Sequence, residues 1–212
     1  MRKIITLSFL LFGFLWASGQ SWQLNSETNG IKVYTASVPD SKVKAIKVEC
    51  YFDATLAQLV TVLLDVKTCT EWVYSTKSCT LLKQVSPSEL YYYSEVNIPW
   101  PAQNRDFVAH LVVTQNPETK VVYVDGPVVP GMVPVKKGIV RIEHSTGKWV
   151  ISPVGTNRVH VAYTLQVDPG GAIPAWLVNM FAANGPTQSF SKLRSQVQKP
   201  VYKEASLPFI KN

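Results

Sequence analysis

Residues 158–167 alternate strictly: Val159, Val161, Tyr163, Leu165 and Val167 fall on one side, Arg158, His160, Ala162, Thr164 and Gln166 on the other. A period of two over that length specifies a half-buried β-strand. The same pattern runs through Leu90–Ile98, Phe107–Thr114, Lys120–Val124, Ile139–Glu143 and Lys148–Ser152, broken by Pro87-Ser88, Asn116-Pro117, Asp125-Gly126-Pro127, Ser145-Thr146-Gly147 and Gly155-Thr156-Asn157. Consecutive strands joined by short turns favour an antiparallel meander. Two earlier strands are read at Gly30–Val38 and Val43–Phe52. After them Asp53 is the expected cap of a helix with Leu56, Leu59, Val60, Leu63 and Leu64 on one face. A long helix closes the chain: Pro174 opens it, Trp176, Leu177, Met180 and Phe181 form a stripe, and Phe190, Leu193 and Val197 continue it. Gly185-Pro186 must kink or interrupt this helix. The class is α+β, one curved antiparallel sheet wrapped around a C-terminal helix.

The first nineteen residues stand apart from that fold. Arg2 and Lys3 precede the apolar run Ile4–Trp16, and Ala17-Ser18-Gly19 supplies small residues where a signal peptidase cuts. The run is shorter than the roughly 20 residues a spanning helix needs. Residues 1–19 are therefore read as a secretory signal peptide and 20–212 as one domain, placing the mature protein in the periplasm or outside the cell. An uncleaved, tethered form is the alternative. The net charge of +7 is spread over scattered lysines with no arginine-rich stripe, so nucleic acid is not an expected partner, while contact with an anionic membrane surface is compatible. Of the three cysteines, Cys69 and Cys79 either form a small disulfide or remain thiols, and Cys50 is then a buried free thiol. Their spacing matches no zinc site, and neither a metal nor a cofactor is expected.

Two segments interrupt these regular patterns with Pro, Gly and aromatic residues: IPWPAQNRDFV (98–108) and DPGGAIPAWLVNMF (168–181). Together with Glu71-Trp72, Gly138–His144, Trp149 and the continuation AANGPTQSFSKLR, they resemble the sequence blocks of START domains, the lipid-binding family related to the steroidogenic acute regulatory protein. The blocks follow family order across about Gly30–Val197. The resemblance implies the helix-grip fold, in which a U-shaped sheet grips the C-terminal helix and encloses an apolar tunnel. It also implies a function: binding a hydrophobic ligand and carrying or sensing it, as a monomer, without chemistry.

Tunnel-lining positions on this reading are Val73, Tyr92, Ser94, Val96, Phe107, Ala109, Leu111, Val161, Tyr163, Leu165, Met180 and Phe181. Small-molecule pockets are mostly apolar with few polar groups, and these residues fit that description, as they would also fit an ordinary filled core. The sequence departs from two known classes. Cholesterol-carrying members place a buried acid–base pair where this chain has Tyr92 and Leu111. The ceramide-transfer protein binds its head group through a glutamate and a glutamine at positions occupied here by Val73 and Ser94, although Tyr163 matches its ligand-contacting tyrosine. A weakly polar or uncharged lipid is the better fit. Trp100 stands where lipid-transfer members insert a tryptophan into membranes, a packed loop anchor being the other reading. Ile173 and Trp176 form the facing gate, and Arg105–Asp106 is expected as a structural ion pair that fixes the loop. A helix-grip enzyme of cyclase or hydrolase type remains the alternative, as does a filled structural module. Against the enzyme, His110, His144 and His160 are isolated, and no nucleophile elbow or phosphate-cradling loop is present.

Overall fold

The computed structural model describes residues 21–39, 43–171, 181–182 and 184–212. The leader and most of the second interrupted segment, with Ile173, Trp176 and Met180, lie outside the described residues. Ten strands form one sheet: β1 (Gln23–Thr28), β2 (Ile31–Ala36), β3 (Ala45–Phe52), β4 (Thr76–Ser86), β5 (Glu89–Val96), β6 (Asn104–Gln115), β7 (Val122–Pro127), β8 (Ile139–Arg141), β9 (His144–Pro153) and β10 (Val159–Asp168). Their spatial order is β1-β2-β3-β10-β9-β7-β6-β5-β4, antiparallel throughout that path. The short β8 departs from the expected meander by pairing in parallel with the start of β6, Arg105 opposite Val140 and Asp106 opposite Arg141.

Alternation decides which residues face inward. Across the sheet, Val48, Tyr163, Trp149, Val124 and Val113 stand opposite one another strand by strand, so all five share a face. The C-terminal helix lies against that face. Phe190 touches the rings of Phe52, Trp149 and Tyr163 at centroid distances of 6.3, 5.3 and 5.8 Å. Helix α1 (Leu56–Leu64) closes one end, burying Leu56, Leu59, Val60 and Leu63 against Val33, Cys50, Ile151 and Val161.

Two local features differ from expectation and a third meets it. The cap of α1 is Thr55 rather than Asp53: Thr55 Oγ1 accepts from the Gln58 amide at 3.2 Å, and the Gln58 side chain accepts from the Thr55 amide at 2.8 Å. That reciprocal capping box satisfies two orphan donors, which Asp53 is too far back to do. Strand β1 was not legible, because QLNSET is polar and largely exposed at the sheet edge, leaving no alternation to read. The terminal helix is interrupted as Gly185-Pro186 required: Phe181 and Ala182 are helical, Asn184 is a turn, and α3 (Gly185–Val197) restarts with Pro186 in its first turn.

Between α1 and β4, the one-turn helix α2 (Cys69–Trp72) is joined to β4 by a Cys69–Cys79 disulfide, and Cys50 is free and buried. Closing so short a loop removes about 3 kcal/mol of chain entropy from the unfolded state. Chemical denaturation of the reduced protein, or of C69S/C79S, should show a stability loss of about 2–3 kcal/mol. A loss below about 0.5 kcal/mol would mean that the helix holds Trp72 in place unaided.

Candidate functional site

The inner face divides into two halves. Toward α1 it is sealed: Val159, Val161, Ile151, Val122 and Val113 are buried. Toward the loops after β5 and β10 the same strands change character, and Tyr163, Leu165, Val167, Leu111, Phe107, Tyr92 and Val96 keep accessible surface. Register explains their convergence, since Tyr92 is opposite Ala109, Ser94 opposite Phe107, and Val96 opposite Arg105. The Tyr92 and Phe107 rings meet edge-on at 6.0 Å.

Two of these residues, Tyr92 and Tyr163, hold their hydroxyls away from water. Burial pushes the Tyr92 hydroxyl up from 10.0 to about 12. It raises Tyr163 as well, with the nearby Tyr92 as a lesser cause. Tyr92 and Tyr163 nonetheless keep some accessible surface. Sequence supplies the room: Gly126 and Gly147 are directly opposite on β7 and β9, so two inward positions carry no side chain. A Cβ on Gly147 would stand 3.3 Å from the Tyr163 hydroxyl, and one on Gly126 would stand 3.0 Å from Leu111 Cδ2. A side chain at either position would press on its neighbour, Tyr163 or Leu111.

Apart from Arg105, the remaining residues around this face are apolar or neutral. Val73 is partly buried against the core at the end of α2. Phe181 meets Tyr74 edge-on at 5.6 Å. Trp72 meets Trp149 at 6.4 Å, and its buried indole N–H has no acceptor among the described residues. Because Tyr92 holds its proton more tightly folded than unfolded, its contribution to stability is complete below pH 10 and is lost as pH rises toward about 12. Tyrosinate absorbance and circular dichroism, followed together, should show the last tyrosines ionising as the fold is lost. Complete ionisation near pH 10 with the fold intact would contradict this enclosure.

At the gate, Ile98 N donates to Asn104 Oδ1 at 3.0 Å and Ala102 N to Pro99 O at 3.2 Å, closing a tight loop. Its tip is Trp100, 89% exposed. The packed-anchor reading of this residue is therefore excluded. The facing loop begins at Asp168, whose Oδ1 accepts from the Gly170 amide at 3.0 Å. Gly170 adopts φ +67°, and a Cβ there would lie 3.2 Å from Val140 Cγ1, so this turn sits against the strand beside Arg105.

The expected Arg105–Asp106 ion pair is corrected. Neighbours on a strand point to opposite faces. Asp106 faces outward and accepts from Arg141 Nε at 2.6 Å, Arg141 Nη2 at 3.1 Å and the Tyr93 hydroxyl at 3.1 Å. Arg141 also donates to the Val133 and Pro134 carbonyls, tying the 128–138 segment across the outer face. Arg105 faces inward. The parallel pairing of β8 with β6, which brings Arg141 beside Asp106, carries no local sequence signal.

The histidines lie away from the lining. His110 pairs with Glu89 at 2.7 Å and stacks on Tyr91, His160 meets Tyr51, and His144 is exposed. No group of three or more His, Cys, Asp or Glu side chains placed to hold a metal occurs among the described residues.

Comparison with known proteins agrees with this geometry. The START domain family model matches residues 16–203. An uncharacterized protein of Pseudomonas aeruginosa is 32% identical over 209 residues, covering 94% of this chain and 100% of its own length. The phosphatidylcholine transfer protein of Bos taurus is 30% identical over 176 residues, covering 79% of this chain and 80% of its own. The crystal structure of a STAR-related lipid transfer protein fragment from Xanthomonas axonopodis is 32% identical, with a TM-score of 0.77 over 84% of this chain and 99% of that one.

Proposed function

Because the chain belongs to the START domain family, we propose that it binds a lipid between the gate-end half of the sheet and the C-terminal helix, and carries it to or from a membrane without altering it. The observation that carries this reading is the inner face itself, where Tyr92, Phe107, Leu111, Tyr163 and Leu165 share one largely apolar surface that the protein leaves only partly buried. Catalysis is disfavoured because the histidines lie on the outer face, away from these residues.

Energetics set how exchange must occur. Each buried methylene is worth about 0.8 kcal/mol, so a sixteen-carbon chain gains about 13 kcal/mol on leaving water. Membrane and tunnel both provide that gain, so transfer between them is nearly neutral, whereas passage through water is not. The gate must open at the bilayer surface. Trp100 on one lip, with Ile173 and Trp176 on the other, is the set of side chains proposed to enter it, and the positive net charge favours an anionic surface.

Export of a monomeric domain completes the proposal. It is supported by the basic start, the apolar run and the small residues before Gln20, and by the Cys69–Cys79 disulfide, which suits an oxidising compartment. Organic extraction of the purified protein followed by mass spectrometry is expected to recover about one lipid per chain. Protein that yields no lipid and takes none from vesicles would overturn the carrier reading in favour of a filled module.

A further inference from the structure

Arg105 is 4% exposed and lies on the inner face, opposite Val96 and one inward position from Phe107. Its Nη1 donates to the Gln103 carbonyl, while its buried Nε has no partner among the described residues. No carboxylate pairs with it among the described residues. Asp106 is committed to Arg141 on the other face, and the neighbouring Glu95 to Lys77 at 2.8 Å and Asn104 at 2.9 Å. The segment 172–180, AIPAWLVNM, contains no acid that might supply the missing charge. Desolvation alone lowers the Arg105 pKa, with no opposing charge to raise it.

A buried guanidinium without a counter-charge is costly, and a planar fork of donors is suited to an oxyanion taken two atoms at a time. We propose that Arg105 binds the oxyanion of the lipid, a carboxylate or a phosphate ester, just inside the gate. The proposal rests on the carrier reading above, replaces the weakly polar or uncharged lipid expected from the sequence with an anionic one, and adds its direction. The deeper positions offer only neutral groups: the Tyr92 and Tyr163 hydroxyls, the Trp72 N–H, and the apolar Val73 and Leu111. The charged end therefore lies at Arg105, beneath the Pro99–Gln103 and Asp168–Gly171 loops, and the acyl chain runs inward toward Trp149. In this arrangement the anion completes the gate-end wall, and an unloaded protein leaves the cation uncompensated.

The test compares fluorescent cis-parinaric acid with its methyl ester, which have the same chain and differ in charge. The delipidated wild type is expected to bind the acid about 10- to 100-fold more tightly at neutral pH. R105M should abolish that preference while binding the ester as the wild type does, and R105K should keep part of it. A second arm measures uptake of phosphatidylglycerol and of diacylglycerol from phosphatidylcholine vesicles. Charge preference only in the first arm assigns a fatty acid; preference in the second assigns a phospholipid. Ester or diacylglycerol binding without charge preference in the wild type, or a preference that survives in R105M, would overturn the role of Arg105 and leave the carrier reading standing. Failure to bind any of the four would overturn both.

Discussion

Arg141→Met is expected to lower the unfolding free energy by about 3–5 kcal/mol, read from urea denaturation with an unchanged m-value. The substitution leaves the Asp106 carboxylate, whose side chain is 1% exposed, with the Tyr93 hydroxyl as its remaining side-chain donor. Removing one member of a buried pair costs far more than the pair contributes, because the surviving charge stays desolvated. It also releases the Val133 and Pro134 carbonyls, which hold the 128–138 segment over the outer face. Removing both charges in D106L/R141M should recover most of the loss. A loss below about 1 kcal/mol in the single variant would show that water reaches Asp106 despite the 128–138 segment that Arg141 holds over the outer face.

Trp100→Ala is expected to slow lipid transfer between vesicles at least tenfold without lowering the melting temperature. An indole 89% exposed makes few contacts to lose on truncation, so stability should be untouched. Burying such a side chain at a bilayer is worth about 2 kcal/mol, or about thirtyfold in membrane residence. The lipid already bound should remain bound, since the deeper lining is intact. Unchanged transfer in the variant would eliminate the Trp100 loop as the membrane contact. Slower transfer with loss of bound lipid would instead make the loop a closure of the tunnel.

Much of the architecture was legible because it depends on local periodicity. The alternation of Val159, Val161, Tyr163, Leu165 and Val167 named the inner face of β10, and Tyr92, Ser94, Phe107, Ala109 and Leu111 were assigned to a common surface that the β5–β6 register reproduces. Gly185-Pro186 announced the restart of the final helix because proline cannot continue one. Strand β1 escaped since an exposed edge strand needs no apolar face, and the α1 cap was misplaced because Asp53 resembles a cap until Gln58 is paired with Thr55.

The partners of charged residues were another matter. Arg105 and Asp106 are adjacent in sequence, oppositely charged and natural to pair on paper, yet a β-strand turns them to opposite sides of the sheet. Asp106 finds Arg141, 35 residues away, through the parallel contact of β8, and Arg105 is left facing the interior. Likewise, Gly126 and Gly147 read as turn residues until the β7–β9 register sets them face to face beneath Tyr163. Periodicity along the chain was enough to determine the class of fold and the faces of the strands, because side-chain direction alternates with every residue of a strand. Only the tertiary structure decided which charge is answered and which is not, because that depends on strands far apart in sequence meeting in one register.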